Sequence, residues 1–174
     1  AVNDPPVITQ GAGPLTKTVA EDGNGTWGAS DLNATDGDVG DTLTWSVETN
    51  ATNGVATVSG SGSNPTTFTY APNVDFKGSD SFVVQVSDGA SSDSISVNVA
   101  LAPVNDVPSD IFLSNASILE NQPVGIVVGE FNATDPDDNA THEFTLADGN
   151  GSDHNRFFSL DANGTLKSAT GLDY

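Results

Sequence analysis

Val2-Asn3-Asp4-Pro5-Pro6 near the start of the chain returns almost unchanged as Val104-Asn105-Asp106-Val107-Pro108. Proline fixes its own φ, removes a backbone donor and pushes the residue before it toward extended backbone. Each copy is therefore a short, stiff, acidic segment that cannot lie inside a helix. A second echo, Asn33-Ala34-Thr35-Asp36-Gly37-Asp38 and Asn132-Ala133-Thr134-Asp135-Pro136-Asp137, recurs at nearly the same interval. That interval is about 100 residues, the size of one small domain. Two independent echoes at one spacing imply a tandem repeat. The chain divides into a first domain over 1–103, a linker over 104–108 and a second domain over 109–174.

What lies between the echoes reads as strand after strand. Leu15 to Ala20 alternates, and Leu43, Trp45 and Val47 share one face of the next run. Asn53-Gly54 is a turn signal, after which Val55-Ala56-Thr57-Val58 and Thr67-Phe68-Thr69-Tyr70 follow. Ser81 to Val86 and Ser94 to Leu101 alternate again, the latter with Ile95, Val97, Val99 and Leu101 facing inward. Short strands divided by Gly- and Asp-rich turns, with no helical period anywhere, predict an all-β, immunoglobulin-like sandwich. The second copy repeats the opening strands through Ile111 and Leu113, Ser117-Ile118-Leu119, Ile126 to Phe131 and His142 to Leu146. A hairpin over Phe157 to Lys167 follows. Nothing in it corresponds to Phe82–Val86 or Ile95–Leu101, so the second sandwich is truncated. A sandwich without its last strands leaves a core face and a sheet edge open. The chain is expected to be a segment of something longer.

The charge needs a physical account. Four Lys and Arg stand against 24 Asp and Glu, a formal net charge of -20. Carboxylates held about 4 Å apart repel by roughly 4 kcal/mol at an effective dielectric near 20, and four basic side chains cannot neutralise so many. A hard divalent cation with oxygen ligands meets the need. A solvated acidic surface, or adaptation to salt, is the competing account. Without a basic stripe, nucleic acid is excluded as a partner. No apolar run is long enough for a transmembrane helix, so membrane insertion is not expected. Zero cysteine excludes disulfides and thiolate metal sites. No nucleophile, base and cofactor loop can be assembled, so the chain is not expected to be an enzyme. His142 and His154 have no partner at metal-ligand spacing. Trp27 and Trp45 could stack sugars, but strand alternation assigns them to the core. The frequent Asn-x-Ser/Thr triplets follow from a composition rich in Asn and Thr.

These residues carry a family resemblance. Leu119-Glu120-Asn121, Ala133-Thr134-Asp135-Pro136-Asp137, Phe158-Ser159-Leu160-Asp161, Gly164-Thr165-Leu166 and Leu172-Asp173-Tyr174 resemble a cadherin repeat. The first copy has Ala20-Glu21-Asp22, Asp36-Gly37-Asp38, Tyr70-Ala71-Pro72, Asp75 to Phe82 and Val86-Ser87-Asp88-Gly89. It resembles the bacterial cadherin-like or tandem-repeat Ig-like domains of large, RTX-type surface adhesins. The resemblance implies calcium where successive domains join. Carried over by position, it implies Glu21, Asp80, Asn105, Asp106, Asp135 and Asp137 at the central joint. Asn3, Asp4, Asp36, Asp38 and Asp88 belong to the N-terminal joint, and Glu120 and Asp173 to the C-terminal one. Pro103 and Val107 stand where the fuller cadherin linker has ligands, so fewer ions per joint are expected. The Asp-x-Asp pairs also suit ordinary turns, and Asp88-Gly89 a plain hairpin.

Two functions follow from the resemblance. One is a calcium-rigidified extender of a bacterial surface adhesin, extracellular, serving adhesion or biofilm, whose partners are the neighbouring repeats of its own chain. The other is a cadherin-like module that binds polysaccharide or a cell-surface protein.

Overall fold

The computed structural model describes residues 2–11 and 13–173. Tyr174, part of the last motif above, lies outside them. The chain is all-β, with two short 3-10 turns at Ala29–Asp31 and Ser152–Phe157. Among the described residues no helix is long and apolar enough to cross a membrane. The fold separates into two compact units, Ala1–Val104 and Asn105–Tyr174.

Unit 1 contains β1 (Val7–Ile8), β2 (Leu15–Ala20), β3 (Gly25–Thr26), β4 (Ala34–Thr35), β5 (Thr44–Thr49) and β6 (Gly54–Ser61). β7 (Thr67–Pro72), β8 (Ser79–Ser87) and β9 (Ser92–Ala102) complete it. The hydrogen-bonded order is β2-β9-β8-β5-β6-β7-β3, with β1 and β4 pairing separately. β6 belongs to both layers: residues 54–59 pair with β7, and Gly60 and Ser61 pair with β5. The period-two patterns decide which residues meet. Phe82, Val84 and Val86 of β8 and Ile95, Val97, Val99 and Leu101 of β9 all point into the core. Trp45 is buried, and Trp27 is half-buried against Phe68 at a ring separation of 4.7 Å. Both tryptophans therefore pack in the core, as alternation predicted. β2 runs parallel to β9, with Leu15 opposite Val97 and Val19 opposite Leu101.

Unit 2 contains β10 (Asp110–Leu113), β11 (Val127–Thr134), β12 (Phe158–Leu160) and β13 (Thr165–Ser168), in the order β10-β11-β13-β12. Among the described residues, these strands form a single sheet. The expected strands at Ser117-Ile118-Leu119 and His142 to Leu146 are not strands. His142, Phe144 and Leu146 still alternate with more exposed neighbours, so the side-chain pattern persists without a ladder. In unit 1 the matching segments, β2 and β5, are held by β9 and β8. Among the described residues, the only buried apolar side chains of unit 2 are Val128 and Leu166, whereas unit 1 has a continuous core. Each buried Val, Leu or Phe contributes roughly 1.5–3 kcal/mol, so unit 1 is far the better supported of the two.

Candidate metal centre

The acids that echo in sequence are held by the same hydrogen bonds in both units. In unit 1 the Asp4 N–H donates to Asp38 Oδ2 at 2.7 Å, and the Asp38 N–H donates to Asp36 Oδ1 at 2.8 Å. In unit 2 the Asp106 N–H donates to Asp137 Oδ2 at 2.6 Å, and the Asp137 N–H donates to Asp135 Oδ1 at 2.8 Å. The preceding asparagines match too. Asn3 Nδ2 donates to the Asp4 carbonyl at 3.2 Å, and Asn105 Nδ2 donates to the Asp106 carbonyl at 2.7 Å. Thus each stiff Asn-Asp segment is clamped by its backbone to its own unit's Asp-x-Asp loop. The loop turns because Asp36 and Asp135 each accept the N–H two residues on, the ordinary Asx turn. Turn chemistry and an oxygen-rich cluster therefore coexist here, and the turn is what builds the cluster.

In unit 1 a third acid joins. Oxygens of Asp36, Asp38 and Asp41 lie within 4.8 Å of one another. Asp36 Oδ2 is buried and has no hydrogen-bond partner. A buried carboxylate oxygen left without a donor is costly, and a bound cation would satisfy it. Crowding by the loop takes water from the Asp41 carboxyl and, with the charges of Asp38, Asp36 and Asp88, pushes it above the usual range. Asn3 Nδ2 ties Asp88 into the same corner through Oδ2 at 3.0 Å, while Asp88 Oδ1 takes the Ala90 and Ser91 N–H groups. Donation from Ser91, Asn3 and Ala90 holds the Asp88 carboxyl below the usual range. A Cβ on Gly37 would stand 2.9 Å from Asp4 Oδ2, so a side chain there would displace that carboxylate. The five N-terminal acids and amides named from sequence are thus gathered in one corner, and Asp41 is an addition. Its signal was the spacing Asp-x-Asp-x-x-Asp.

Unit 2 has Ala140 where unit 1 has Asp41. His142 instead approaches the loop, with Nε2 2.9 Å from Asp135 Oδ2. The histidine that had no visible partner in sequence is therefore paired with a candidate ligand. Nothing local to either residue announced it, because the pairing depends on how the loop folds back.

Glu21 is buried in unit 1. Its Oε1 accepts the Val104 N–H at 2.8 Å, and Oε2 is buried with no hydrogen-bond partner. Asp22 and Asp75, which the sequence places in motifs of the first copy but not among the ligands, bring carboxylate oxygens within 4.8 Å of each other. Asp75 has a φ of 56°, an unusual conformation for a residue with a side chain. Asp80 is placed differently. Its Oδ1 accepts the Thr52 and Ser81 N–H groups, and its Oδ2 accepts the Asn53 N–H at 2.8 Å and the Tyr70 hydroxyl at 2.9 Å. Burial pushes this carboxyl up, but the donors from Asn53, Ser81, Thr52 and Tyr70 outweigh it and hold it below the usual range. Burial, with Asp80 beside it, pushes the Tyr70 hydroxyl up. Among the described residues Asp80 joins no cluster of three acids. Glu120 and Asp173 are exposed, and neither enters such a cluster among the described residues.

A family model for the bacterial cadherin-like domain matches residues 3–103. No curated protein matches the chain. Several solved structures have the same fold. The mouse clustered PcdhgC3 EC1-3 is 18% identical with a TM-score of 0.55, over 98% of this chain and 58% of that one. The protocadherin gamma B7 extracellular cadherin domains 1-4 are 16% identical with a TM-score of 0.63, over 98% and 44%. The Drosophila N-cadherin EC1-4 is 19% identical with a TM-score of 0.58, over 91% and 39%. This chain therefore spans less than two thirds of each of these relatives.

Proposed function

Because the chain belongs to the bacterial cadherin-like domain family, a family of adhesive and structural modules and not of enzymes, we propose that it is a calcium-stiffened extender of a bacterial cell-surface adhesin. It works outside the cell, in adhesion or biofilm, as two tandem domains, 1–103 and 109–174, with neighbouring repeats of its own chain as partners. Calcium is held at one end by Asn3, Asp4, Asp36, Asp38 and Asp88, with Asp41. About the linker 104–108, Glu21, with Asp22 and Asp75, and Asn105, Asp106, Asp135 and Asp137 serve the same ion chemistry. Glu120 and Asp173 begin a further set. Asp80 is assigned to the fold of unit 1 instead.

The observation that carries this reading is the clamp made twice, from Asp4 to Asp38 and from Asp106 to Asp137. It fixes the Asn-Asp segment against an Asp-x-Asp loop whose carboxylates repel one another when no cation is bound. Carboxylate, amide and carbonyl oxygens are the donor set of a hard cation such as calcium, and cadherin domains generally bind it. A cation removes the repulsion and stiffens the linker.

Calorimetric titration with calcium tests the ligands. Saturable binding is expected with dissociation constants on the order of 10⁻⁴–10⁻³ M, the range of extracellular modules. Asp38→Ala and Asp106→Ala should each remove part of it. Small-angle scattering tests the mechanical role, with a larger maximum dimension expected in calcium than in chelator. Absence of saturable heat would end the calcium assignment; binding without a change in dimension would end the extender assignment.

A further inference from the structure

Independently of the calcium reading, we propose that Asn150 is a site of spontaneous covalent modification, in which its side-chain amide cyclises onto the Gly151 nitrogen and reopens as isoaspartate or aspartate. The Gly151 nitrogen forms a bond to Asn150 Cγ, the Cγ–Nδ2 bond breaks, and ammonia leaves with the proton from Gly151. Water then adds across either carbonyl C–N bond of the five-membered imide, so no reactant other than water is needed. Two conditions govern the rate. The nitrogen must be free of a hydrogen bond, and the backbone must rotate until that nitrogen reaches Cγ. Glycine after the asparagine serves the second condition best, because it has no Cβ to obstruct the approach and its backbone is permissive.

The chain contains four Asn-Gly pairs, at 24–25, 53–54, 150–151 and 163–164, and the fold holds three of them. Gly25 is buried in β3, opposite Tyr70 of β7. Gly54 lies opposite Pro72 in the β6–β7 ladder, where a Cβ would stand 2.5 Å from the Tyr70 ring. The Asn53 N–H donates to Asp80 Oδ2 at 2.8 Å, and the Asn53 carbonyl accepts the Asn73 N–H at 2.8 Å. The Gly164 N–H donates to the Asp161 carbonyl at 2.8 Å, and the Gly164 carbonyl accepts the Phe131 N–H at 2.8 Å. The fourth pair differs on every count. Asn150 and Gly151 are both exposed and lie outside every strand. Among the described residues neither the Asn150 side chain nor the Gly151 N–H makes a hydrogen bond. Gly149 and Gly151 have φ values of 139° and 94°, with open space where a Cβ would point. The turn is closed only through Ser152, whose N–H donates to the Gly149 carbonyl at 3.1 Å and whose Oγ accepts the Gly149 N–H at 3.1 Å. Isoaspartate at 150 lengthens the main chain between these partners and adds a carboxylate between Asp148 and Asp153.

The test incubates the full chain at neutral pH in chelator, so that calcium plays no part, beside the same chain unfolded in urea. Peptide mapping by mass spectrometry that separates isoaspartate from aspartate reads each pair over time. In the folded chain Asn150 is expected to convert at least about tenfold faster than Asn24, Asn53 and Asn163, which react only when the fold opens locally. In urea the four pairs should convert within about threefold of one another, because glycine follows each and little structure remains to tell them apart. Asn150 should keep about its urea rate in the folded chain, with isoaspartate among the products. Asn150→Gln lengthens the side chain and disfavours the five-membered ring, so conversion at 150 should stop while the urea midpoint is unchanged. Three results overturn the proposal: equal rates at the four pairs in the folded chain, a folded-state rate at Asn150 about tenfold or more below its own rate in urea, or a product free of isoaspartate. Failure here leaves the calcium titration untouched, and failure of the titration leaves this result untouched.

Discussion

Asp80→Asn separates a structural acid from a metal ligand. The substitution keeps the size of the side chain, so no cavity opens. It replaces one carboxylate oxygen by an NH₂ group. Four donors converge on the carboxylate: the Thr52 N–H at 3.2 Å, the Asn53 N–H at 2.8 Å, the Ser81 N–H at 2.8 Å and the Tyr70 hydroxyl at 2.9 Å. Each oxygen takes two of them, so either orientation of the amide turns its NH₂ on two donors. Hydrogen bonds to a charged group are worth about 1.5–3 kcal/mol each, and a buried donor left without an acceptor costs about 1–3 kcal/mol. Two lost bonds, discounted because the loop relaxes and Ser81 can turn to water, give a loss of about 3 kcal/mol. At about 4–8 °C per kcal/mol for a domain of this size, that is a fall of roughly 12–24 °C in melting temperature. Both tryptophans lie in unit 1, so their fluorescence reports that unit alone in urea unfolding. The decisive condition is chelator. A structural Asp80 loses the full amount there, and calcium affinity stays near that of the parent. If the variant in chelator lies within about 0.5 kcal/mol of the parent and only the calcium-dependent stability is lost, the structural assignment is wrong and Asp80 is a ligand after all.

Acid should weaken unit 1 through the same residue. A carboxyl held below its usual value contributes stability that is present above the unfolded value, about 3.9, and is lost as pH falls through the lower folded value. The acid limb of a pH–stability curve should therefore flatten in Asp80→Asn; an unchanged limb would refute it. Asp41 has the opposite sign, since its carboxyl is pushed up and its charge opposes the fold. Asp41→Asn should make unit 1 slightly more stable in chelator and weaken calcium binding, both readable in one set of urea curves with and without the ion. Gly54→Ala would place a Cβ 2.5 Å from the Tyr70 ring and 2.6 Å from the Ala71 carbonyl. A loss of about 1–3 kcal/mol is expected from such overpacking, and an unchanged urea midpoint would contradict it.

The strand faces and the acid clusters differ in how far the chain alone determines them. Alternation in 82–86 and 94–101 fixes which side chains face inward, because successive side chains on a strand take opposite faces whatever the partner. The echoes at Asn3-Asp4 and Asp36–Asp38 likewise mark the oxygen-rich corners, because an Asx turn is local chemistry. Alternation does not establish that a strand is paired. His142, Phe144 and Leu146 keep the pattern, yet no ladder forms beside them, because a ladder needs backbone from elsewhere in the chain. Asp80 and His142 show the same limit for single residues. The motif around Asp80 is an acid before a late strand, but its four donors include Thr52, Asn53 and Tyr70, brought in by the turn before β6 and by β7. His142 meets Asp135 only through the course of the intervening loop. Local steric and turn rules are written in short stretches of sequence. Which distant donor reaches a carboxylate, and whether a strand finds its neighbour, is decided only when separate stretches pack together.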